Sequence, residues 1–582
     1  MRWRYCIATL LNWAYFLMKI IISILYLLKL CTQTKSGKIG LVFMFSIIGL
    51  ELLGIQLALS LIEWNKDFYN ALEKYDINAT VKQVGIFLFL IALSSTQYLI
   101  GNYFRSVLLM RWRKELTYSS LNLWLNKKNY WYLSEQSQID NPDQRIAEDC
   151  RLFVERFTKS AIDLVTRVVG LITYFVVLWN ITDFALHLNI FGKEVVIEHY
   201  LVWLAPIYVF ISSLVTHYLG APLMRLNVDQ KKKEADFRFS MARFRESKEA
   251  IALQNGEEAE KNILHGRFSK VEQNWTQLIR REFILGCFTR PYESTIFRIP
   301  LLFSLPIYLI GKASLGTLMQ IASAFQNVTL NLSWFIFSYA RLTEMAAAAV
   351  RLHDFLKQLQ NLESKSIEQG MTLQEASDSQ ALAFNKVQLN TVDGQTLLDI
   401  DHKVVGNDCQ MTVIKGESGI GKSTLFKVLA GLHLNYTGEV TLPTGKLFFL
   451  PQRAYFPVGG LLSAVAYPRV ATEKDEQKIN HILSLVGFHH QQIQNLLHDC
   501  DFSKLSGGEQ QRLIIARVMF NQPDWVFLDE SCNALDEVTE LKMFKLMREH
   551  LPNARIILIS HTNNIDASLG SEEWQLSKGT FA

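Results

Sequence analysis

Through about the first 340 residues, long apolar, aromatic-rich runs alternate with charged stretches; beyond about residue 358 the apolar runs shorten to strand length and lie between polar helices. Six segments hold about 20 or more apolar-rich residues each, at roughly 40–63, 84–109, 160–183, 200–221, 283–310 and 316–340. A helix needs about 20 such residues to cross roughly 30 Å of hydrocarbon, so each reads as a span. The later pattern predicts strands over 382–389, 395–400, 411–414, 447–450, 526–528 and 556–559, a turn at Val392-Asp393-Gly394 and a helix over 422–432. The expectation is a multidomain chain: an all-α transmembrane domain with six spans over 39–357, a linker over 358–380 and an α/β domain over 381–582.

Residues 1–38 are apolar from Cys6 to Leu30 but interrupted by Lys19 and Lys29, and no small-residue cleavage site follows. They read as an amphipathic elbow helix on the membrane surface, with an additional span over 1–33 as the alternative. Lys and Arg cluster in the N-terminal segment and over 105–160 and 224–282, while the connections at 184–199 and 311–315 are nearly neutral. That bias places both termini in the cytoplasm, and the two long basic connections would reach far enough into it to touch the α/β domain. A net charge of +4 does not point to nucleic acid. The seven cysteines form no CxxC pair, so reduced thiols and no metal-thiolate site are expected. His217, alone in the fourth span, reads as a satisfied polar side chain rather than a ligand. In the fifth span Arg290, Glu293 and Arg298 could pair within the helix, either lining a path or serving structure. Gln320, Gln326 and Asn327 in the sixth read equally as polar lining or as interhelical hydrogen-bonding groups.

The chemistry is concentrated in the C-terminal domain. Gly416-Glu417-Ser418-Gly419-Ile420-Gly421-Lys422-Ser423-Thr424 follows a predicted strand and opens a helix. Glycines let backbone N–H groups turn around a phosphate, Lys422 reaches the β- and γ-phosphates, and Ser423 ligates Mg²⁺. Alone, this loop means only that a nucleotide binds. Asp529 ends an apolar strand and can meet Mg²⁺ through water, and Glu530 beside it is the expected general base. Ser506, Gly507 and Gly508 open a helix whose bare N–H groups suit an anion.

The ordered set of this loop, Gln452, Leu505-Ser506-Gly507-Gly508-Glu509-Gln510, Asp529-Glu530, Asp536 and His561 resembles the ABC-type ATPases. The resemblance implies that Gln452 ligates Mg²⁺ or the lytic water and senses the membrane half, and that His561 contacts the γ-phosphate. It also implies that Ser506, Gly507, Gly508 and Gln510 meet ATP bound to an opposite subunit, with Asp536 coupling the two sites. One ATPase and one six-span unit then require a second copy, and with every catalytic element intact a homodimer is expected.

In the membrane half, Trp64-Asn65 with Phe68-Tyr69-Asn70-Ala71-Leu72, Arg111-Trp112-Arg113, Asp140-Asn141-Pro142-Asp143-Gln144-Arg145-Ile146 with Glu148-Asp149, Glu249-Ala250-Ile251-Ala252-Leu253, and Arg351-Leu352 with Phe355 resemble the SbmA/BacA-like membrane domain, in its fused permease–ATPase form. That family is related to the fatty-acyl and cobalamin half-transporters of peroxisomes and lysosomes. The resemblance implies a type IV, exporter-like membrane fold in a bacterial inner membrane, with ATP and Mg²⁺ as cofactors. It implies transport of a hydrophilic or amphipathic solute, such as a cobalamin-like compound or a peptide. Export of lipid or fatty-acyl compounds, or a proton-coupled permease with a regulatory ATPase, are the alternatives; a soluble ABC protein of translation or DNA repair would lack the spans. Two departures stand out: Thr391 occupies the usual adenine-stacking aromatic position, and Gly460-Leu461-Leu462 replaces the usual Thr or Ser followed by Leu-Arg.

Overall fold

The computed structural model describes residues 2–136, 141–182, 185–190, 193–296, 298–309, 311, 313–369, 373–375, 381–391, 396–405, 410–417, 419–433, 435–529, 535–559, 571–577 and 580–581. The chain divides into two compact units, one of residues 1–126 and 138–359, the other of 127–137 and 360–582.

The first unit is helical: α1 (Arg2–Thr32), α2 (Lys35–Glu73), α3 (Ile77–Leu125), α5 (Pro142–Gln144) running through a π turn into α6 (Cys150–Ile181), α7 (Tyr200–Glu246), α8 (Lys248–Leu253), α9 (Glu257–Thr295), α10 (Arg298–Leu309), α11 (Leu315–Leu332) and α12 (Trp334–Gln369). The short α4 (Asn129–Gln136) falls in the second unit. Four helices among the described residues are long and apolar enough to cross a membrane: Lys35–Glu73, Ile77–Ser134, Pro142–Ile181 and Tyr200–Glu246. The other two expected spans are helical but more polar and interrupted. Over 283–310, α9 carries Pro291 and gives way to α10, while over 316–340 the amide-rich α11 ends at Leu332 and α12 starts at Trp334. The connection expected at 184–199 contains an antiparallel hairpin of β1 (Ala185–Ile190) and β2 (Lys193–Glu198).

Side chains singled out by the sequence turn out to bridge helices. Trp112 is buried, donates from Nε1 to the Gly37 carbonyl at 3.2 Å, and lies so close to Gly40 that a Cβ there would stand 2.3 Å from that nitrogen. On α2, Trp64 donates to the Gln83 carbonyl and Asn65 to the Ser323 hydroxyl. Asn70 Oδ1 accepts the Gly316 N–H at 3.1 Å and Glu73 Oε2 the Leu315 N–H at 3.1 Å, while Ser314 accepts the Thr317 N–H. The first turn of α11 is thus capped largely by α2, whose Glu73 carboxylate also suits the positive end of that helix. Gly316 permits the approach, since a Cβ there would lie 2.1 Å from the Lys66 carbonyl. Between α6 and α12, Asp149 pairs bidentately with Arg351, Arg156 with Glu344, and Asp163 with Arg341. The Arg290–Glu293 pair forms but is exposed, and Arg298, at the start of α10, donates instead to the Ser294 carbonyl in the last turn of α9. Gln320 is buried, and Asn327 donates to the Ser323 carbonyl of its own helix.

In the second unit, β3 (Leu373–Glu375), β4 (Leu382–Asn390), β5 (Thr396–Val405) and β7 (Tyr436–Leu442) form a four-stranded sheet in the order β3-β7-β4-β5. β6 (Met411–Gly416), β8 (Leu447–Leu450), β9 (Trp525–Asp529), β10 (Arg555–Ile559), β11 (Ser571–Ser577) and β12 (Thr580–Phe581) form a six-stranded sheet in the order β12-β11-β6-β10-β9-β8. The strands from β6 to β8 are parallel and nearly continuous in apolar residues, as burial on both faces requires. The turn expected at 392–394 lies outside the described residues. The stretch expected as a linker is helical as far as Gln369, since no Gly or Pro interrupts it before Gly370, and then supplies β3, which pairs with β7.

α13 (Lys422–Leu429) packs Leu425, Phe426 and Leu429 into the core that the two sheets share with Leu398, Ile400 and Phe527. A second core joins the six-stranded sheet to α14 (Leu461–Ala466), α15 (Glu476–Leu485), α16 (His490–Leu496), α17 (Gly507–Asn521) and α18 (Glu537–His550).

Candidate functional site

Parallel strands deliver their C-terminal ends to one edge of the sheet, and the candidate residues collect there. β6 ends at Gly416, where a Cβ would stand 2.9 Å from that of Leu576, so the loop leaves the sheet at a point with no room for a side chain. Gly419 and Gly421 take φ of 85° and 107°, a left-handed backbone that glycine adopts without the Cβ clash. Gly421 is the N-cap of α13, whose positive end faces the loop. Lys422 is buried and folds back into the loop, its Nζ 2.6 Å from the Gly416 carbonyl and 3.4 Å from that of Glu417. The next residue, Ser423, donates from Oγ to Asp529 Oδ1 at 3.1 Å. Thr424 is half-buried in the same turn.

The bond from Ser423 to Asp529 spans the end of β10, which lies between β6 and β9 with Ile559 opposite both Ile414 and Asp529. Two hard oxygens from separate elements therefore converge beside the phosphate loop. Gln452 is exposed two residues beyond β8, whose Leu450 stands opposite Leu528, and so extends from the same edge. Among the described residues no group of three or more His, Cys, Asp and Glu side chains gathers as a metal cluster. Ser418, Glu530 and His561 lie outside the described residues; Glu530 directly follows β9, and His561 comes two residues after β10.

Ser506 caps α17, its hydroxyl accepting the Glu509 N–H at 3.3 Å while the Glu509 carboxylate accepts the Ser506 N–H at 2.9 Å. This capping box holds Ser506 and Gly507 exposed at the positive end of a 15-residue helix. Gln492 donates to the other Glu509 oxygen at 2.7 Å; that bond and the Ser506 N–H hold the carboxyl below the ordinary range. Gln510 does not share the exposure of its neighbours: its amide donates to the Phe502 and Leu505 carbonyls, bracing the turn before the helix. Asp536 caps α18, accepting the Thr539 N–H at 3.2 Å, and the Thr539 hydroxyl first and that N–H second lower its carboxyl pKa. Thr391 follows β4, at the strand end where Leu389 pairs with Tyr436 of β7.

One cluster was not among the expected site residues. The segment 127–137 belongs to the second unit, and it covers the far end of α13. Lys128 Nζ donates to the Ala430 carbonyl at 2.6 Å, Tyr132 Oη to that of Gly431, and Trp131 Nε1 to that of Leu432 at 2.8 Å. Lys427 lies 5.5 Å over the Trp131 ring. Carbonyls at a helix C-terminus have no intrahelical donors, and a cation there complements the negative pole. The signal in the sequence is Asn129-Tyr130-Trp131-Tyr132, an aromatic run set in a basic connection where apolar spans have ended.

Comparison with known proteins agrees with this geometry. Residues 21–305 match the ABC transporter transmembrane region 2 family, and residues 406–533 match the ABC transporter family. The chain is 29% identical over 547 residues to the inner membrane ABC transporter ATP-binding protein YddA of Escherichia coli, covering 93% of this chain and 95% of that one. It is 31% identical over 529 residues to an uncharacterized ABC transporter ATP-binding protein of Haemophilus influenzae, covering 90% and 87%. Similarity extends to the human lysosomal cobalamin transporter ABCD4, at 26% identity over 519 residues and 82% of each chain.

Proposed function

The chain belongs to the ABC transporters, with membrane region and ATP-hydrolysing domain joined in one polypeptide, and from that premise we propose that a homodimer of it moves a hydrophilic or amphipathic solute across a bacterial inner membrane by alternating access. A cobalamin-like compound or a peptide is the cargo class in this reading, which places the protein with the SbmA/BacA-like half-transporters. The ATPase faces the cytoplasm, on the side of the basic connections.

The observation that carries the reading is the grip of Lys128, Trp131 and Tyr132 on the end of α13. The P-loop sits at one end of that helix, and a segment chained to α3 holds the other. A displacement of the phosphate end is therefore carried along a single rigid element to the membrane-spanning chain.

The donor set fits Mg²⁺: a hydroxyl and a carboxylate within hydrogen-bond reach are hard oxygen ligands of the kind that ion takes alongside nucleotide phosphates. Ser423, Asp529 and Gln452 would hold it, and it would neutralise charge developing on the phosphates. Gly416 through Thr424 cradle ATP, with Lys422 leaving its loop carbonyls for the β- and γ-phosphates. Glu530 takes a proton from the attacking water and His561 holds the γ-phosphate in line. Ser506, Gly507 and Gly508 of the second copy close the site from across the interface, and Asp536 links the two sites.

The reading is tested by ATP-dependent accumulation of labelled cobalamin and of a labelled proline-rich peptide in right-side-out and inverted vesicles. Wild type is compared with Glu530→Gln and with Trp131→Ala. Glu530→Gln is expected to abolish both turnover and accumulation. Trp131→Ala should retain ATPase activity within about fivefold, since one neutral hydrogen bond is worth about 1 kcal/mol, while accumulation falls much further. Accumulation unaffected by Glu530→Gln would sink the ATP-driven reading.

A further inference from the structure

Arg517 is an arginine where the chain has little reason to place one. It stands in Ile514-Ile515-Ala516-Arg517-Val518-Met519, within the apolar core of α17, and is only 4% exposed. No carboxylate faces it among its described contacts. Its Nε donates to the Ala464 carbonyl at 2.7 Å and its Nη2 to the Tyr455 carbonyl at 2.8 Å. Its guanidinium carbon lies 5.3 Å from the centre of the Phe456 ring and 5.3 Å from that of Tyr467. Burying a cation without a counter-ion is costly; two carbonyls and two ring faces offset part of that cost. Burial accordingly lowers its pKa to about 10.

The partners define what the cation connects. Tyr455 and Phe456 lie three and four residues after Gln452. Phe456 stacks at 4.8 Å on Phe502, in the turn that leads into Ser506, and Gln510 ties that turn to α17 by donating to the carbonyls of Phe502 and Leu505. One turn further along α17, Asn521 donates to the Tyr467 carbonyl at 3.0 Å. A closed ring of contacts thus runs from the Gln452 segment through Phe502 to the start of α17, along that helix to Arg517, and back to Tyr455. A methionine of similar length would fill the space but would leave both carbonyls without donors.

We propose that Arg517 is a positioning residue for ATP hydrolysis: it fastens the Gln452 segment to the helix that presents Ser506, Gly507 and Gly508, so that the two parts of the site move as one body. The arrival of Gln452 at the nucleotide of its own subunit is then tied to the offering of the α17 N-terminus to the other. The proposal rests on the reading of Gln452 as a group that meets the nucleotide site.

The test uses the full-length protein in lipid nanodiscs and measures steady-state ATP hydrolysis across a Mg²⁺ titration, together with the Kd for a fluorescent ATP analogue, for wild type, Arg517→Lys, Gln452→Ala and the double variant. Lysine keeps the charge but not the two-pronged donor geometry. Arg517→Lys is expected to leave the Kd and the KM for ATP within about twofold while kcat falls about tenfold, a factor that corresponds to about 1.4 kcal/mol in the barrier. Gln452→Ala should give the same KM-against-kcat split, and the double variant should be no slower than the slower single one. Phe456→Leu removes one ring and leaves the hydrogen bonds, so it should move kcat in the same direction by about threefold or less; it serves if the lysine variant does not fold. Wild-type kcat in Gln452→Ala would overturn the assignment of Gln452 and the proposal with it. A loss in Gln452→Ala beside multiplicative losses in the double variant, or beside unchanged kcat in the Arg517 and Phe456 variants, would overturn the proposal alone.

Discussion

In the ATP-hydrolysing unit, Phe527 stacks on Phe449 at 4.4 Å and meets Phe426 edge-on at 5.6 Å, wholly inside the sheet. In the membrane unit, Phe45, Phe89 and Phe210 are each about 70% exposed, and the buried interior instead contains Asp149, Asn274, Gln320 and Asn331. Water drives the apolar rings of the first unit together. The second has lipid around it, in which an outward phenylalanine gains nothing by turning inward, so its helices are joined by polar bridges and close backbone approach. Asp149–Arg351, Arg156–Glu344 and Asp163–Arg341 alternate in sign along the α6–α12 seam, and a slip by about two turns would set like charges opposite one another. Polar contacts in the membrane unit thus specify register, while apolar contacts in the other supply cohesion.

The contrast can be broken by mutation. Phe527→Ala should cost about 3–5 kcal/mol, the range for deleting a fully enclosed aromatic ring, read as a fall in the unfolding midpoint of the ATP-hydrolysing unit; Phe89→Ala should leave the midpoint of the membrane unit almost unchanged. If both cost the same, the division of labour is wrong. Asp149→Ala comes next. It removes both acceptors of Arg351 and the partner of Arg145, and should cost about 2–3 kcal/mol in detergent or lipid, given that Arg351 remains partly exposed. Exchanging the charges at 149 and 351 should recover part of the loss.

The smallest effect concerns pH. The Glu509 carboxyl is held below its ordinary range chiefly by the Gln492 amide, then by the Ser506 N–H. A depressed folded pKa gives stability that is full above the unfolded value and is lost as pH falls through the folded one. Melting curves of wild type and Glu509→Gln should therefore differ at pH 7 and converge as the pH is lowered through the carboxylate range. A gap that widens on acidification would contradict this account of the cap.

The nucleotide site was legible because its chemistry is local. Gly416 to Thr424 must be contiguous to wrap a phosphate, Asp529 need only end a strand and Gln452 need only follow one closely; parallel pairing then brings those ends together without further instruction. Contacts between positions far apart in the sequence were not legible as such. Asn70 was visible within a motif, yet nothing near it in sequence reveals that its oxygen receives the Gly316 N–H, 246 positions away. Trp131 and Leu432 are separated by 301 positions, and the Tyr455–Arg517 bond by 62. Span counting also blurred in the last two stretches, where Arg290, Glu293, Arg298 and a series of amides shorten the apolar window and the helices are interrupted at α9–α10 and α11–α12.

The capping of α11 by α2 bears on how such a chain is made. A helix start supplied by another helix cannot be completed by its own sequence, and α11, with Gln320, Gln326, Asn327 and Asn331 along it, is a weak candidate for entering the bilayer unaided. As the ribosome delivers the chain, α2 arrives first, holding Asn70 and Glu73 in readiness while more than two hundred further residues emerge. Only when Leu315 and Gly316 reach them does the membrane domain close, which makes that junction a built-in check that the last span has been delivered.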